Sequence, residues 1–160
     1  MKHQKKILLL IPVSFWLLIL TACSSAGSYQ QSVYDDDQKI SAQGDSYTFV
    51  NRIGESDETG ISLTFSGFSG KQTLWEVDAD EDGTISMAAD ITIKGGRFKL
   101  CLIDSDNHVT AIANDSTSGE LSVPVVKGVS RIALVGDGAK GEIKISLSEN
   151  EGITIQAVGV

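Results

Sequence analysis

The sequence predicts an all-β fold, an antiparallel β-sandwich of about nine strands with jelly-roll-like order. Three observations carry that prediction. From residue 46 to the C-terminus apolar residues recur at every second position, the period of strands with one face on a core and one in water. Glycine turn signals interrupt these runs at short spacing: Asp82-Gly83, Gly95-Gly96, Ser118-Gly119, Lys127-Gly128, Gly136-Asp137-Gly138 and Glu151-Gly152. Beyond the first 22 residues no stretch holds a 3.6-residue period. Closure into a barrel would produce the same alternation, and that alternative stays open.

The N-terminal 22 residues stand apart. Lys2, Lys5 and Lys6 form a positive start, Ile7 through Leu20 run almost without polarity, and Thr21-Ala22 is small. That order is the layout of a secretory signal peptide over 1–22. As a helix the apolar run would reach roughly 21 Å, short of the ~30 Å hydrocarbon core, so it reads as a cleaved leader. Leu20-Thr21-Ala22-Cys23 resembles the lipobox of bacterial lipoproteins. The resemblance implies diacylglyceryl attachment to the Cys23 sulfur and cleavage before it. Two chains on one sulfur make a stable anchor where one is marginal. The expected location is the extracytoplasmic face of the cell membrane, with the membrane as partner through the lipid.

Cleavage would remove three lysines from the 13 basic residues and move the formal charge from −8 to −11. An acidic surface excludes nucleic acid as a partner, because phosphate binding needs a positive footprint. With Cys23 acylated, Cys101 has no partner for a disulfide and packs as a small hydrophobe. Stability must then come from one core, which about 115 residues suffice to build.

Residues 23–45 are polar, with Ser24-Ser25, Gln30-Gln31 and Asp35-Asp36-Asp37, and read as a flexible acidic tether holding at most a helical turn around Asp36 to Ala42. The domain follows at 46–160. Tyr47 and Phe49 open the alternation; Ile61, Leu63 and Phe65 continue it. Ile85, Met87, Ala89, Ile91 and Ile93 keep one phase, then Phe98, Leu100 and Leu102, and Leu121, Val123 and Val125. Ile132 and Leu134, Ile143, Ile145 and Leu147, and finally Ile153 and Ile155 complete the strands.

Within this region Lys94-Gly95-Gly96-Arg97-Phe98-Lys99-Leu100-Cys101-Leu102-Ile103-Asp104-Ser105-Asp106-Asn107-His108-Val109 is followed by Val126-Lys127-Gly128-Val129-Ser130-Arg131-Ile132-Ala133-Leu134-Val135-Gly136. Together they resemble the C-terminal half of small, largely uncharacterised β-sandwich surface lipoproteins of Gram-positive bacteria. The resemblance implies the fold and no particular activity. At fold level the chain is also similar to accessory sandwich domains on secreted enzymes.

Chemistry-bearing motifs are few. Asp78-Ala79-Asp80-Glu81-Asp82-Gly83 spaces three carboxylates as a Ca²⁺ loop does, making Asp78, Asp80 and Asp82 the metal candidates. The twelfth position of such a loop is Ala89 rather than an acid, and the flanks read as strands, so the segment reads first as an acidic hairpin tip and only second as a Ca²⁺ site. Gly136-Asp137-Gly138-Ala139-Lys140-Gly141 spells a dinucleotide fingerprint, but the strand-like Glu142 to Leu147 follows where a helix is required, so it reads as a turn. His108 is the single histidine after the leader and reads as a surface residue; no Cys/His metal spacing or nucleophile elbow occurs. No cofactor is expected beyond Ca²⁺, and no catalytic residue is assigned. A sugar platform would need exposed aromatics, for which Phe68, between Gly67 and Gly70, and Trp75 are the candidates. The expected function is therefore a non-catalytic, lipid-anchored domain binding an envelope glycan or protein. The alternatives are a carbohydrate-binding accessory module and, behind it, a hydrolase.

Overall fold

The computed structural model describes residues 25–148 and 151–158. Two short helices, α1 (Ser25–Val33) and α2 (Asp37–Ser41), precede eight strands: β1 (Ser46–Thr48), β2 (Asn51–Asp57), β3 (Gly60–Ala79), β4 (Gly83–Ile103), β5 (Val109–Asn114), β6 (Thr117–Val125), β7 (Gly128–Leu147) and β8 (Ile153–Ala157). All pairings are antiparallel. The all-β expectation holds, with eight strands where about nine were expected.

The difference lies in β3, β4 and β7, which run 20 or 21 residues each. Each crosses both layers of the sandwich. In one layer the order is β2-β3-β7-β4-β6, using the first halves of β3 and β4 and the second half of β7. In the other, β1 and β8 flank the second half of β3, followed by β7, β4 and β5. The pairing slips where the strands pass between layers: Phe65 to Gly70 in β3 and Ile93 to Arg97 in β4. Gly95-Gly96 and Gly136-Asp137-Gly138, expected as turns between strands, are thus bends within strands. Glycine is required there. A Cβ on Gly96, at φ +72°, would lie 2.3 Å from the Gly138 carbonyl oxygen, and one on Gly136 would lie 2.4 Å from the Phe68 ring.

The inner faces of both layers share one core. Ile61, Leu63, Ile85, Ile91, Ile143 and Ile145 from the first layer join Trp75, Val77, Leu100, Leu102, Ile132 and Leu134 from the second. Folding a single sheet back on itself lets strands that alternate apolar and polar bury one face and solvate the other. The sheet stays open. β2 and β6 bound the first layer and β5 bounds the second, and among the described residues no ladder joins the two layers at their margins, so the barrel alternative does not apply.

The outer face of the second layer is covered, and here the tether expectation fails. Over its described part the 23–45 stretch forms α1 and α2, which pack on that face. Val33 and Ile40 bury against Cys101, Ile103, Ala133 and Val135. Asp36 caps α2 by accepting the Gln38 and Lys39 amides. Lys71 Nζ donates to the Ala42 carbonyl at 2.7 Å, and Arg131 donates to the Ser41 and Ala42 carbonyls at 2.8 and 3.2 Å. Asp45 accepts from the Thr73 amide and hydroxyl at 2.7 and 2.8 Å. Arg97 Nη1 donates to both carboxylate oxygens of Asp35, and the guanidinium stacks over the Tyr34 ring, 4.3 Å from its centroid. The segment is a clasp.

Candidate functional site

Cys23 and its flanking residues lie outside the described residues. The two aromatic candidates are not a ligand platform. Phe68 and Trp75 are each 0 % exposed. Phe68 occupies the β3 bend, stacked on Phe49 at 4.6 Å and edge-on to Phe65, rather than a loop. Trp75 points into the core, and its indole N–H donates to the Asp57 carbonyl at 2.7 Å. A buried indole needs such a partner, and the bond ties the second layer to the β2–β3 turn.

Asp78, Asp80 and Asp82 are exposed at the β3–β4 hairpin. Asp82 Oδ1 accepts the Lys127 amide at 2.8 Å, which stitches the hairpin tip to the start of β7. Among the described residues no three His, Cys, Asp or Glu side chains gather as a metal group. Cys101 is buried beneath the clasp, and burial, partly offset by the nearby Lys99 charge, raises its thiol pKa to about 11. His108 is 77 % exposed and pairs instead with Asp104. Cys101 is thus no activated nucleophile.

The concave feature with the most developed chemistry is the wedge where β5 and β6 part. Both strands pair with β4, β5 along residues 99–103 and β6 along 83–91, so they enter different layers and diverge away from their link at Asp115-Ser116. Between them opens a cavity of about 440 Å³, within the size range of small-ligand sites. Leu102, Ile112, Leu121, Val123, Pro124 and Val126 supply aliphatic walls. Thr110 and Ser122 add hydroxyls, and Asp104 adds one carboxylate.

Asp104 is fixed by the turn it organises. Its Oδ1 accepts the amides of Asp106 and His108 at 2.9 and 2.8 Å, and its Oδ2 lies 3.2 Å from His108 Nδ1. Partial desolvation opposes its charge, but the His108 and Asp106 hydrogen bonds and the His108 charge together outweigh it. They hold the carboxyl below the ordinary aspartate range. Asp104 therefore stays ionised at neutral pH, a fixed acceptor at the mouth of the wedge. As the lone carboxylate in the lining it lacks the facing partner that glycoside hydrolysis uses.

A second cavity of about 350 Å³ lies at the far margin, lined by Glu58, Thr59, Leu147, Ile153, Thr154 and Ile155 among others. Its aliphatic walls are fewer: Leu147, Ile153 and Ile155.

None of the wedge residues was singled out from sequence as a binding residue. One signal was there: Pro124 interrupts an otherwise good strand, and proline marks an edge. That β5 and β6 open a space over Leu102 depends on long-range pairing that a linear reading does not contain.

No protein-family model matches this chain, and no curated protein matches it. Solved structures similar to it include a family 35 carbohydrate-binding module from an environmental isolate, at 16 % identity and TM-score 0.37, covering 71 % of this chain and 82 % of that one. Xyl-CBM35, in complex with a glucuronic-acid-containing disaccharide, is 12 % identical at TM-score 0.36, covering 74 % and 84 %. The CBM35 of Cellvibrio japonicus Abf62 is also 12 % identical at TM-score 0.36, covering 70 % and 81 %.

Proposed function

We propose that this chain is a non-catalytic binding module, held outside the cell by lipid on Cys23, whose β5–β6 wedge takes a saccharide. The observation that carries the reading is the composition of that wedge: aliphatic walls from Ile112, Leu121 and Pro124 beside the hydroxyls of Thr110 and Ser122 and the ionised Asp104. A sugar ring presents C–H faces and hydroxyl edges, and this lining matches both. The aliphatic walls cover the faces, while one carboxylate and two hydroxyls meet the edges. With no aromatic ring to stack on, a single-ring contact is expected to bind with a dissociation constant on the order of 1 mM, about −4 kcal/mol.

The test is a titration of the isotope-labelled mature chain with a panel of neutral, amino and acidic oligosaccharides. At least one should shift the amide resonances of Thr110, Ile112 and Ser122 in a saturable way. Ile112→Asp should weaken that binding at least ~10-fold, about 1.4 kcal/mol. Saturable shifts confined to other surfaces, or none with any sugar, would defeat the assignment.

A further inference from the structure

We infer that the β5–β6 wedge selects saccharides that carry a free, protonated amino group, with Asp104 as the acceptor the ammonium meets. The inference deepens the saccharide reading of the wedge and rests on it. Two features of the structure support it: the charge of the lining, and the contacts that fasten a second carboxylate beside it.

Among the described residues, Asp104 is the single charged group in the lining, and no Lys or Arg shares the cavity with it. Its side chain is 22 % exposed, so it is partly desolvated and still open to a ligand. A uronic acid placed there would meet a like charge, and its own carboxylate would lose water with no cation in the lining to replace it. An amino sugar gains the attraction instead. An ammonium also brings three N–H donors, and the lining offers three acceptors: the Asp104 carboxylate and the hydroxyls of Thr110 and Ser122. N-acetylation would remove the charge and two of those donors. The acceptor is already in place, because the Asp106 and His108 amides hold Asp104 Oδ1 at 2.9 and 2.8 Å, and a fixed acceptor loses little freedom on binding.

The second carboxylate is Asp82. Ser105, next to Asp104, packs against the start of β7, where a Cβ on Gly128 would lie 3.4 Å from the Ser105 Cβ. The residue before Gly128 is Lys127, whose amide donates to Asp82 Oδ1 at 2.8 Å. Val126, before it, is part of the wedge wall. This run of contacts carries the acidic tip of the β3–β4 hairpin to the end of the wedge that Asp104 occupies. Lys127 and His108 are the basic residues of the same segments, and His108 pairs with Asp104 from a side chain that is 77 % exposed. Against them stand Asp82, Asp104 and Asp106. Carboxylates of this number at one end of an apolar cleft favour a cationic ligand.

The experiment titrates the same isotope-labelled chain with four trisaccharides: glucosamine with its amines protonated, its N-acetylated form, glucose, and galacturonic acid. The amide resonances of Thr110, Ile112 and Ser122 report the wedge. The glucosamine trisaccharide is expected to bind at least ~5-fold more tightly than the N-acetylated and glucose forms, the scale of one partly desolvated ion pair, and the galacturonic acid form is expected to bind most weakly. Asp104→Asn keeps an oxygen for the Asp106 and His108 amides and loses the charge. It should bring the glucosamine form to the affinity of the glucose form, Asp82→Asn should reduce the preference in part, and Asp57→Asn, at the β2–β3 turn, should leave it intact. Equal affinities at the wedge, or tightest binding of galacturonic acid, overturn the amino-sugar inference and leave the saccharide reading standing. A preference that survives both Asp104→Asn and Asp82→Asn, or that appears at resonances outside the wedge, also overturns it. No shift at the wedge with any of the four, or with the wider panel, overturns both.

Discussion

Cys101 and Trp75 show how a residue's role follows from what surrounds it. A cysteine seven residues before His108 could read as a thiol with its base. In the fold the thiol is roofed by Val33 and Ile40, while the imidazole stands in solvent bonded to Asp104. Burial raises the Cys101 pKa from 9.0 to about 11. The native state therefore holds its proton more tightly than the unfolded chain does. This contribution to stability is fully present below about pH 9 and is lost as pH rises through about 11. Native protein is expected to react with a disulfide reagent at pH 8 only at the rate of unfolding, and denatured protein immediately. Rapid reaction of the folded protein would show that the clasp does not seal this face. Trp75→Phe should cost about 1–2 kcal/mol, mostly through the orphaned Asp57 carbonyl, and leave saccharide binding unchanged. Denaturant unfolding and the same titration would check both halves of that expectation.

At the scale of elements, alternation made the strands legible and the glycines misled. Period two located the apolar phase of every long strand because each buries a single face over most of its length. Gly95-Gly96 and Gly136-Asp137-Gly138 look like hairpin corners, since a turn and a mid-strand bend both use positive φ. Only the partner strands tell them apart. The clasp was hidden for a related reason. Its sequence is polar, but Leu100-Cys101-Leu102-Ile103 and Ile132-Ala133-Leu134-Val135 are unbroken apolar runs, the mark of strands buried on both sides. Something had to cover their second face, and Val33 and Ile40 were the nearby apolar residues free to do so. Ile40→Ala should cost about 2–5 kcal/mol, the usual range for a fully buried isoleucine, and should raise Cys101 reactivity before global unfolding. Gly136→Ala should cost at least as much, because the new methyl meets the Phe68 ring and the Phe68 carbonyl, at 2.4 and 2.9 Å. Thermal or denaturant melts of the two variants would measure this; a neutral Gly136→Ala would mean the bend can relax.

At the scale of the whole molecule two electrostatic effects oppose each other as pH falls. The chain carries a formal charge of −8, and self-repulsion of like charges disfavours the compact state. Acidification toward about pH 5 relieves part of that repulsion, because carboxylates near their ordinary pKa of about 4 begin to take up protons. A second group of carboxylates works the other way. Asp57 is held below the ordinary range by hydrogen bonds from the Thr59 hydroxyl and amide, Asp36 by the Lys39 amide first, and Asp104 by the His108 and Asp106 bonds that outweigh its desolvation. Each has a folded pKa below its unfolded value. Each therefore contributes stability above about pH 4 that is lost as pH falls through the folded pKa. The melting temperature should thus rise modestly from pH 8 to about 5 and fall steeply below about 4. Added salt should raise it at pH 8, where repulsion is screened, and change it little near pH 5. The three caps hold the α2 start, the β2–β3 turn and the mouth of the wedge. Asp104→Asn should therefore flatten part of the acid limb and also weaken saccharide binding, whereas Asp57→Asn should flatten the limb alone. Melting curves across pH for the two variants, set beside the sugar titration, separate these cases: if both variants lost sugar binding equally, Asp104 would be acting through fold stability and not as a ligand acceptor.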